Sequence, residues 1–328
     1  MGQIAVIVNP HSRRNRGARS PVDELERIVG RQGSVYRCGD PESLASAAEE
    51  LASCDLAAVA ISGGDGTNSM VLTALRAVWG DRPLPPLAML RGGTMNTVAN
   101  GLGIPKGKPA SLLAGLVADV DAGRPLTTTT RRAMEIGGVD ADTSPPRPRR
   151  LGFLFGLGVI HGFLDEYYRR GRPYPTPVTA VETLGVAIGS AMVGGPTIRR
   201  ISERLRASLV VDGEAIEARE FLAIGAGTSP ALGLGFRPFH YAQEGAEGFH
   251  LLAITCSAPR LAANLPRLHA SRGIAPGDGF DRLARELLIT TEDAEIPYMV
   301  DGDLATATSP LRVALGPEVR VVVGSAAG

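Results

Sequence analysis

A chain of 328 residues, 44% apolar and 21% charged, is long enough to bury a core in each of two domains and too apolar to be wholly disordered. Lys plus Arg and Asp plus Glu balance at 34 each, so the global basic field of a nucleic-acid-binding protein is missing and no nucleic-acid partner is expected. Cys38, Cys54 and Cys256 show no metal-type spacing and cannot all pair, which suits reduced thiols in a cytoplasmic protein.

The N-terminus runs directly into a strand-like segment without the layout of a signal peptide. Residues 4–8 form a short β-branched run closed by Asn9-Pro10, the pattern of a buried parallel strand. In 21–29, Val22, Leu25, Ile28 and Val29 share one helical face, with Ser20 placed as the N-cap. A second strand is expected around Val35, an Ala/Glu-rich helix over 43–51 and a third strand over 56–61. A glycine loop follows, then a helix over 68–78, a fourth strand over 87–90 and a second glycine pair at Gly92-Gly93. Strands alternating with helices predict an α/β domain with a parallel sheet covered on both faces. After Arg124-Pro125 the runs become short and β-like, at 151–157, 205–211, 221–226, 251–255 and 287–290. Residues 144–150, rich in Pro and Arg, read as an exposed loop, and Asp212-Gly213 and Asp301-Gly302 as hairpin turns. The second region is therefore expected to be β-rich and antiparallel. The longest weakly polar stretch, 178–195, is interrupted by Glu182 and rich in glycine, so no membrane span is expected.

Three loops carry chemistry. Gly63-Gly64-Asp65-Gly66-Thr67 turns an apolar strand into a helix, so its amides and the helix N-terminus converge on an anion. Asp65 discriminates, because a carboxylate beside phosphates calls for a divalent cation or a transferable proton. Gly93-Thr94-Met95-Asn96 repeats the design after the next strand, and parallel strands open their following loops at one edge. Asn9-Pro10-His11-Ser12, with Arg13, Arg14 and Arg16, joins them at that edge.

Asn-Pro-x-Ser, Gly-Gly-Asp-Gly-Thr and Gly-Thr-x-Asn in this order resemble the diacylglycerol kinase catalytic family, and within it the bacterial lipid kinases related to sphingosine and ceramide kinases. The resemblance implies an α/β nucleotide domain (1–126, with 308–328 packing back onto it) and a β-sandwich-like lipid domain (127–307), with ATP and Mg²⁺ between them. It assigns Asn9, Pro10, Ser12, Gly63, Gly64, Asp65, Gly66, Thr67, Asn68, Gly93, Thr94 and Asn96 to the nucleotide site. It also matches Asp301-Gly302-Asp303 to the segment holding the catalytic base, and Glu247-Gly248 to an Asp-Gly pair at a second-domain Mg²⁺ site. Asp65 and Glu247 are thus the implied metal ligands, and Asp301, Asp65 and Asp303 the implied catalytic acids. Two departures stand out: Arg13 replaces a glycine, and Thr97 replaces an acid that usually follows Gly-Thr-x-Asn.

The expected reaction is transfer of the γ-phosphate to a lipid hydroxyl, with Asp301 taking the hydroxyl proton. The expected partners are a lipid such as a diacylglycerol or a sphingoid or ceramide lipid and, peripherally, a membrane during turnover; a homodimer is left open. Val181, Leu184, Ile188 and Met192 fall at helical spacing and read as ordinary core rather than an acyl groove. The rival readings are an NAD kinase, against which the Asn-Pro-x-Ser start and the second loop weigh, and a lipid-binding regulatory protein of the same fold with weak catalysis, which Thr97 favours.

Overall fold

The structure, a computed structural model, describes residues 2–16, 21–139 and 149–324. The expected cap Ser20 and residues 144–148 of the Pro/Arg segment lie outside the described residues. Residues fall into two compact units, 1–132 with 317–328, and 133–316.

In the first unit the strands are β1 (Gln3–Val8), β2 (Gly33–Arg37), β3 (Leu56–Ser62) and β4 (Leu87–Met89). The helices are α1 (Pro21–Val29), α2 (Pro41–Leu51), α3 (Asp65–Trp79), α4 (Thr97–Gly101) and α5 (Pro109–Asp121). Local signals place several ends. Asp40 caps α2 by accepting from the Ser43 amide at 2.8 Å, and Pro41 supplies the preset first turn. Helix α3 starts at Asp65, three residues earlier than its apolar periodicity suggests, because Gly64 leaves the first turn unobstructed.

The four strands pair in parallel in the order β2-β1-β3-β4, and Val321 of the C-terminal strand pairs in parallel with Leu87. Ile4, Val6, Val8, Ala58 and Ala60 meet Val22 and Leu25 of α1 and Leu113 and Leu116 of α5 in one core. The alternate residues Ala5, Ile7, Val59 and Ile61 are equally buried, as a sheet covered on both faces requires. The chain goes from β1 out to β2 and then back across to β3. The carboxyl ends of β1 and β3 therefore flank the switch point, where open α/β sheets bind ligands.

The second unit contains the second half of β5 (Thr127–Gly138), then β6 (Arg150–Gly152), β7 (Leu154–Gly158), β8 (Leu205–Val211), β9 (Glu214–Ile216), β10 (Glu220–Phe221), β11 (Ala223–Gly227) and β12 (Phe249–Ile254). It continues through β13 (Gly279–Ala284), β14 (Glu286–Thr291), β15 (Glu295–Val300), β16 (Asp303–Thr308) and the first part of β17 (Leu311–Gly324). One antiparallel sheet has the order β13-β12-β11-β7-β15-β16; in the other, β14 lies between β8 and β17. Phe155, Leu157, Ile224, Phe249 and Val300 of the first meet Leu209, Val211, Leu287, Ile289 and Val313 of the second. This is a β-sandwich core filled by the inward half of each strand's alternation. The expected fold class, a parallel α/β domain followed by a β-sandwich-like domain, is borne out.

The sandwich also carries four helices, α6 (Val159–Arg170), α7 (Pro177–Val193), α8 (Pro196–Ile201) and α9 (Ala258–His269). The sequence signalled α7 alone, through the helical spacing of Val181, Leu184, Ile188 and Met192; the strand-like reading of this region passed over the other three. Thr176 and Thr179 form a capping box that starts α7, and left-handed Gly194 (φ 64) ends it. Glu166 of α6, 1% exposed, collects three guanidinium groups: Arg169 at 2.7 Å, Arg170 at 2.5 Å and Arg200 of α8 at 2.5 Å. Burial pushes its carboxyl up, but the three arginine bonds outweigh that and hold it below the ordinary value. A depressed folded-state value means stability that is present above the unfolded carboxyl range and lost as pH falls through the folded one. Glu166→Gln should therefore cost about 2–3 kcal/mol in urea unfolding at pH 7, short of a fully buried pair because the arginines are one-third to one-half exposed. The gap from wild type should close as pH falls below the usual carboxylate range; a gap independent of pH would show that packing, not charge, is what the substitution removes.

Candidate functional site

The three loops converge at the switch point. Gly63 and Gly64 link β3 to α3, and Gly92 and Gly93 follow β4 and Leu90. A Cβ on Gly93 would stand 2.4 Å from the Gly64 Cα, and one on Gly92 would stand 2.8 Å from the Gly63 nitrogen. A Cβ on Gly63 would strike the Thr67 side chain at 2.4 Å. The two loops thus lie backbone against backbone, an approach open only to glycine. The N-terminus of α3 adds partial positive charge at the same point.

The first loop is tied in by two asparagines. Asn9 donates from Nδ2 to Thr67 Oγ1 at 2.9 Å, and its Oδ1 accepts from the His11 amide at 2.8 Å. Asn15, buried, donates from Nδ2 to the carbonyls of Asn9 and Ser62, each at 2.7 Å, while its Oδ1 accepts from Ser62 Oγ at 2.9 Å. It fastens the carboxyl ends of β1 and β3 together. Sequence reasoning missed Asn15, and its one signal was a small polar residue among arginines. The Arg14 amide donates to the Gly92 carbonyl at 3.0 Å, which links the first loop to the second. Ser12 precedes a short 3-10 turn and donates its amide to the Asn9 carbonyl at 3.2 Å.

Asp65 accepts from the Thr97 amide at 2.7 Å and from the Val98 amide at 3.0 Å, one on each carboxylate oxygen. It thereby caps α4, whose own N-cap, Asn96, is left-handed (φ 49, ψ 49) and makes no side-chain cap. Asn96 instead exchanges bonds with Gly93, its Oδ1 accepting from the amide and its Nδ2 donating to the carbonyl, both at 3.2 Å. Position 97, where the sequence lacks an acid, contributes a backbone amide to this network. Among the described residues, Asn68 Oδ1 is buried without a hydrogen-bond partner. The glycine cradle fits a phosphate group, and Asp65 at the start of α3 offers carboxylate oxygen of the kind a hard divalent cation takes.

In the second unit Asp301 and Gly302 are the two left-handed residues (φ 47 and 88) of a tight turn between β15 and β16, with Val300 paired to Asp303. This is the turn that Asp-Gly favours. Asp301 is only 1% exposed, and its carboxylate accepts from the Phe153 amide at 3.0 Å and the Leu154 amide at 2.8 Å. Gly152 makes room, since a Cβ there would meet Asp301 Oδ2 at 3.0 Å. Tyr168 donates to the Gly302 carbonyl at 2.7 Å. Burial pushes the Asp303 carboxyl up, with Arg150 opposing in part.

Glu247 lies apart from this turn, exposed and ion-paired with Arg285, whose Nε also donates to the Glu247 carbonyl at 3.1 Å. Among the described residues, the group with metal-like clustering is His240, His250 and Asp281. There His250 Nδ1 accepts from the Tyr241 amide at 3.3 Å, so Nε2 carries the proton and donates to Asp281 Oδ1 at 2.7 Å. Both ring nitrogens of buried His250 are satisfied without an ion.

Residues 3–124 match the family model of the diacylglycerol kinase catalytic domain, so the resemblance read from the three loops is borne out for that stretch. Over 121 residues the chain is 32% identical to a probable lipid kinase YegS of Shigella flexneri, and equally to one of Escherichia coli O1:K1. That alignment covers 35% of this chain and 40% of each relative. Two solved structures from Bacillus anthracis, a diacylglycerol kinase and a putative diacylglycerol kinase, align over 99% of this chain and 98% of theirs. Their TM-scores are 0.64 and 0.68 at 15% and 16% identity, which is a likeness of fold. No helix among the described residues is long and apolar enough to cross a membrane.

Proposed function

We propose that this protein is an ATP-dependent lipid kinase that transfers the γ-phosphate to a lipid hydroxyl. The observation that carries the reading is the fused pair of glycine loops at the switch point, where a Cβ on Gly93 would stand 2.4 Å from Gly64. Backbone amides there are placed to receive an anion at the N-terminus of α3, and the matched family and relatives are lipid kinases by description. The roles divide between the units. In the first, Gly63 to Thr67 and Gly93 to Asn96 hold the phosphates, Asn9 sets the Thr67 hydroxyl, and Asp65 keeps the two loops in register through the amides of Thr97 and Val98. Mg²⁺, when bound, neutralises charge on the phosphates. The second unit is the lipid-substrate domain, in which Asp301 takes the proton of the acceptor hydroxyl and Asp303 tunes it. The protein then acts peripherally at a membrane, where its acceptor resides.

A second reading, a lipid-binding protein with little catalysis, is favoured by one feature: both oxygens of Asp65 already hold amides, and no acid stands at position 97. The test is transfer of labelled phosphate from ATP to a panel of diacylglycerol, monoacylglycerol, sphingosine, ceramide and NAD. Labelled lipid is the expected result. Labelled NAD alone overturns the proposal, and lipid binding without any labelled product selects the second reading.

A further inference from the structure

Helix α7 is amphipathic the wrong way round. Its buried face is Ala180, Thr183, Ala187 and Ala191, small residues that let it sit close to α6, α8 and α9. Several larger side chains point outward: Val178 is 64% exposed, Val181 60%, Met192 67% and Val193 81%, while Leu184 and Ile188 are half-buried. The expectation that Val181 and Met192 are core is corrected here. The helical period was right, but the small residues between them won the interior because they permit closer packing. Tyr174, in the connection before α7, is exposed as well, and along the whole helix the outer face carries one charge, Glu182. Leaving so many large apolar groups in water forfeits about 25 cal/mol per Å² of burial, and contiguous patches of this kind mark contact surfaces.

The same helical subdomain is basic in an otherwise neutral chain. From Asp165 to Arg200 there are five arginines (169, 170, 172, 199 and 200) against three acids (Asp165, Glu166 and Glu182), a surplus of two positive charges. Glu166 is buried beneath its arginines, which lie outward of it: Arg169 and Arg200 remain about half exposed, and Arg172 and Arg199 are exposed, beside the exposed acids Asp165 and Glu182. Glu166 neutralises one of the positive charges it gathers, yet it holds the arginines in place, so the surplus of guanidinium faces outward. A partner matched to both properties offers an apolar layer beneath dense negative charge, which describes the headgroup boundary of an anionic bilayer.

We infer that the outer face of α7, with Arg172 and Arg199, is the surface by which this protein docks on anionic membranes. The helix lies in the interface plane, its valines and Met192 entering the acyl boundary while the arginines meet lipid phosphates. At 17 residues it presents about 25 Å of apolar edge. This docking rests on the lipid-kinase reading for its purpose, yet the two fail separately. Docking is read by co-sedimentation with vesicles in the absence of nucleotide, whereas the kinase reading is tested on short-chain diacylglycerol dispersed in detergent.

The probes are vesicles of phosphatidylglycerol mixed with phosphatidylcholine, and vesicles of phosphatidylcholine alone. The full chain should sediment with the first and not the second, and should release at high salt. Val181→Glu with Met192→Glu, both on the exposed face, should weaken vesicle binding at least about tenfold while leaving thermal unfolding and detergent-dispersed kinase activity unchanged. Arg172→Glu with Arg199→Glu, neither of which bonds Glu166, should act alike and remove the salt dependence. Undiminished binding by the folded variants overturns the inference, as does equal binding to phosphatidylcholine alone. So does a dimer that the Val181→Glu, Met192→Glu pair dissolves without altering vesicle binding, since the face then belongs to a second copy of the chain.

Discussion

Asp301→Asn is expected to lower phosphoryl transfer by at least ~100-fold while nucleotide affinity stays within about twofold of wild type. The separation arises because Asp301 is in the second unit, on the tight turn between β15 and β16, whereas the glycine loops are in the first. The substitution keeps the size of the side chain, which matters where a Gly152 Cβ would already crowd Asp301 Oδ2 at 3.0 Å. It also has a structural cost. The carboxylate accepts from the amides of Phe153 and Leu154, and an amide group in its place can accept with only one of its two heavy atoms. Oδ1 already accepts from both amides, so an amide oxygen in its place keeps both bonds, and only the second arm from Phe153, at 3.1 Å, then meets a donor, a loss of about 1 kcal/mol. The variant must therefore be assayed well below its unfolding midpoint, with nucleotide binding measured in the same sample. Wild-type turnover by the folded variant would remove Asp301 as the base and leave it a buried turn anchor.

The second large effect concerns the loop contact itself. Gly93→Ala places a methyl group 2.4 Å from the Gly64 Cα, a backbone atom that cannot swing away, and 3.2 Å from Asn96 Oδ1. The loops must separate. Nucleotide affinity should fall at least tenfold and stability by about 1–3 kcal/mol. Gly64→Ala is the internal control, since its methyl group meets the Gly93 Cα at 3.3 Å, where a shift of a few tenths of an ångström suffices. Titration of both variants with ATP, alongside urea unfolding, should rank Gly93→Ala well below Gly64→Ala. Equal affinities in the two would show that the close approach of the loops is not what forms the anion cradle.

Two of the acids singled out in the sequence, Asp65 and Asp301, turn out to have a structural duty that residue type could not announce. Asp65 was read from its place between glycines, and the structure adds that its two oxygens cap α4 through the amides of Thr97 and Val98, thirty-two and thirty-three positions away. Asp301 was read from Asp-Gly, and the structure adds its burial against the amides of Phe153 and Leu154, more than 140 positions earlier. In both cases the residue type and the local turn were legible, and the partner was not, because backbone amides carry no sequence signature.

By itself the sequence determined the parallel α/β domain, a β-rich antiparallel second region and the order of the three loops, while the β-sandwich followed only from the family resemblance. The first three rest on local signals: β-branched runs, glycines that alone tolerate close backbone approach, and Asp-Gly turns. Only the tertiary structure decided that Asn15 staples β1 to β3 and that Glu166 gathers arginines from two helices. It alone decided which face of α7 is inside. Helical periodicity says which residues share a face, but two candidate faces compete for the interior. The winner is set by how closely the neighbouring helices can approach, a property of α6, α8 and α9 that α7 does not encode.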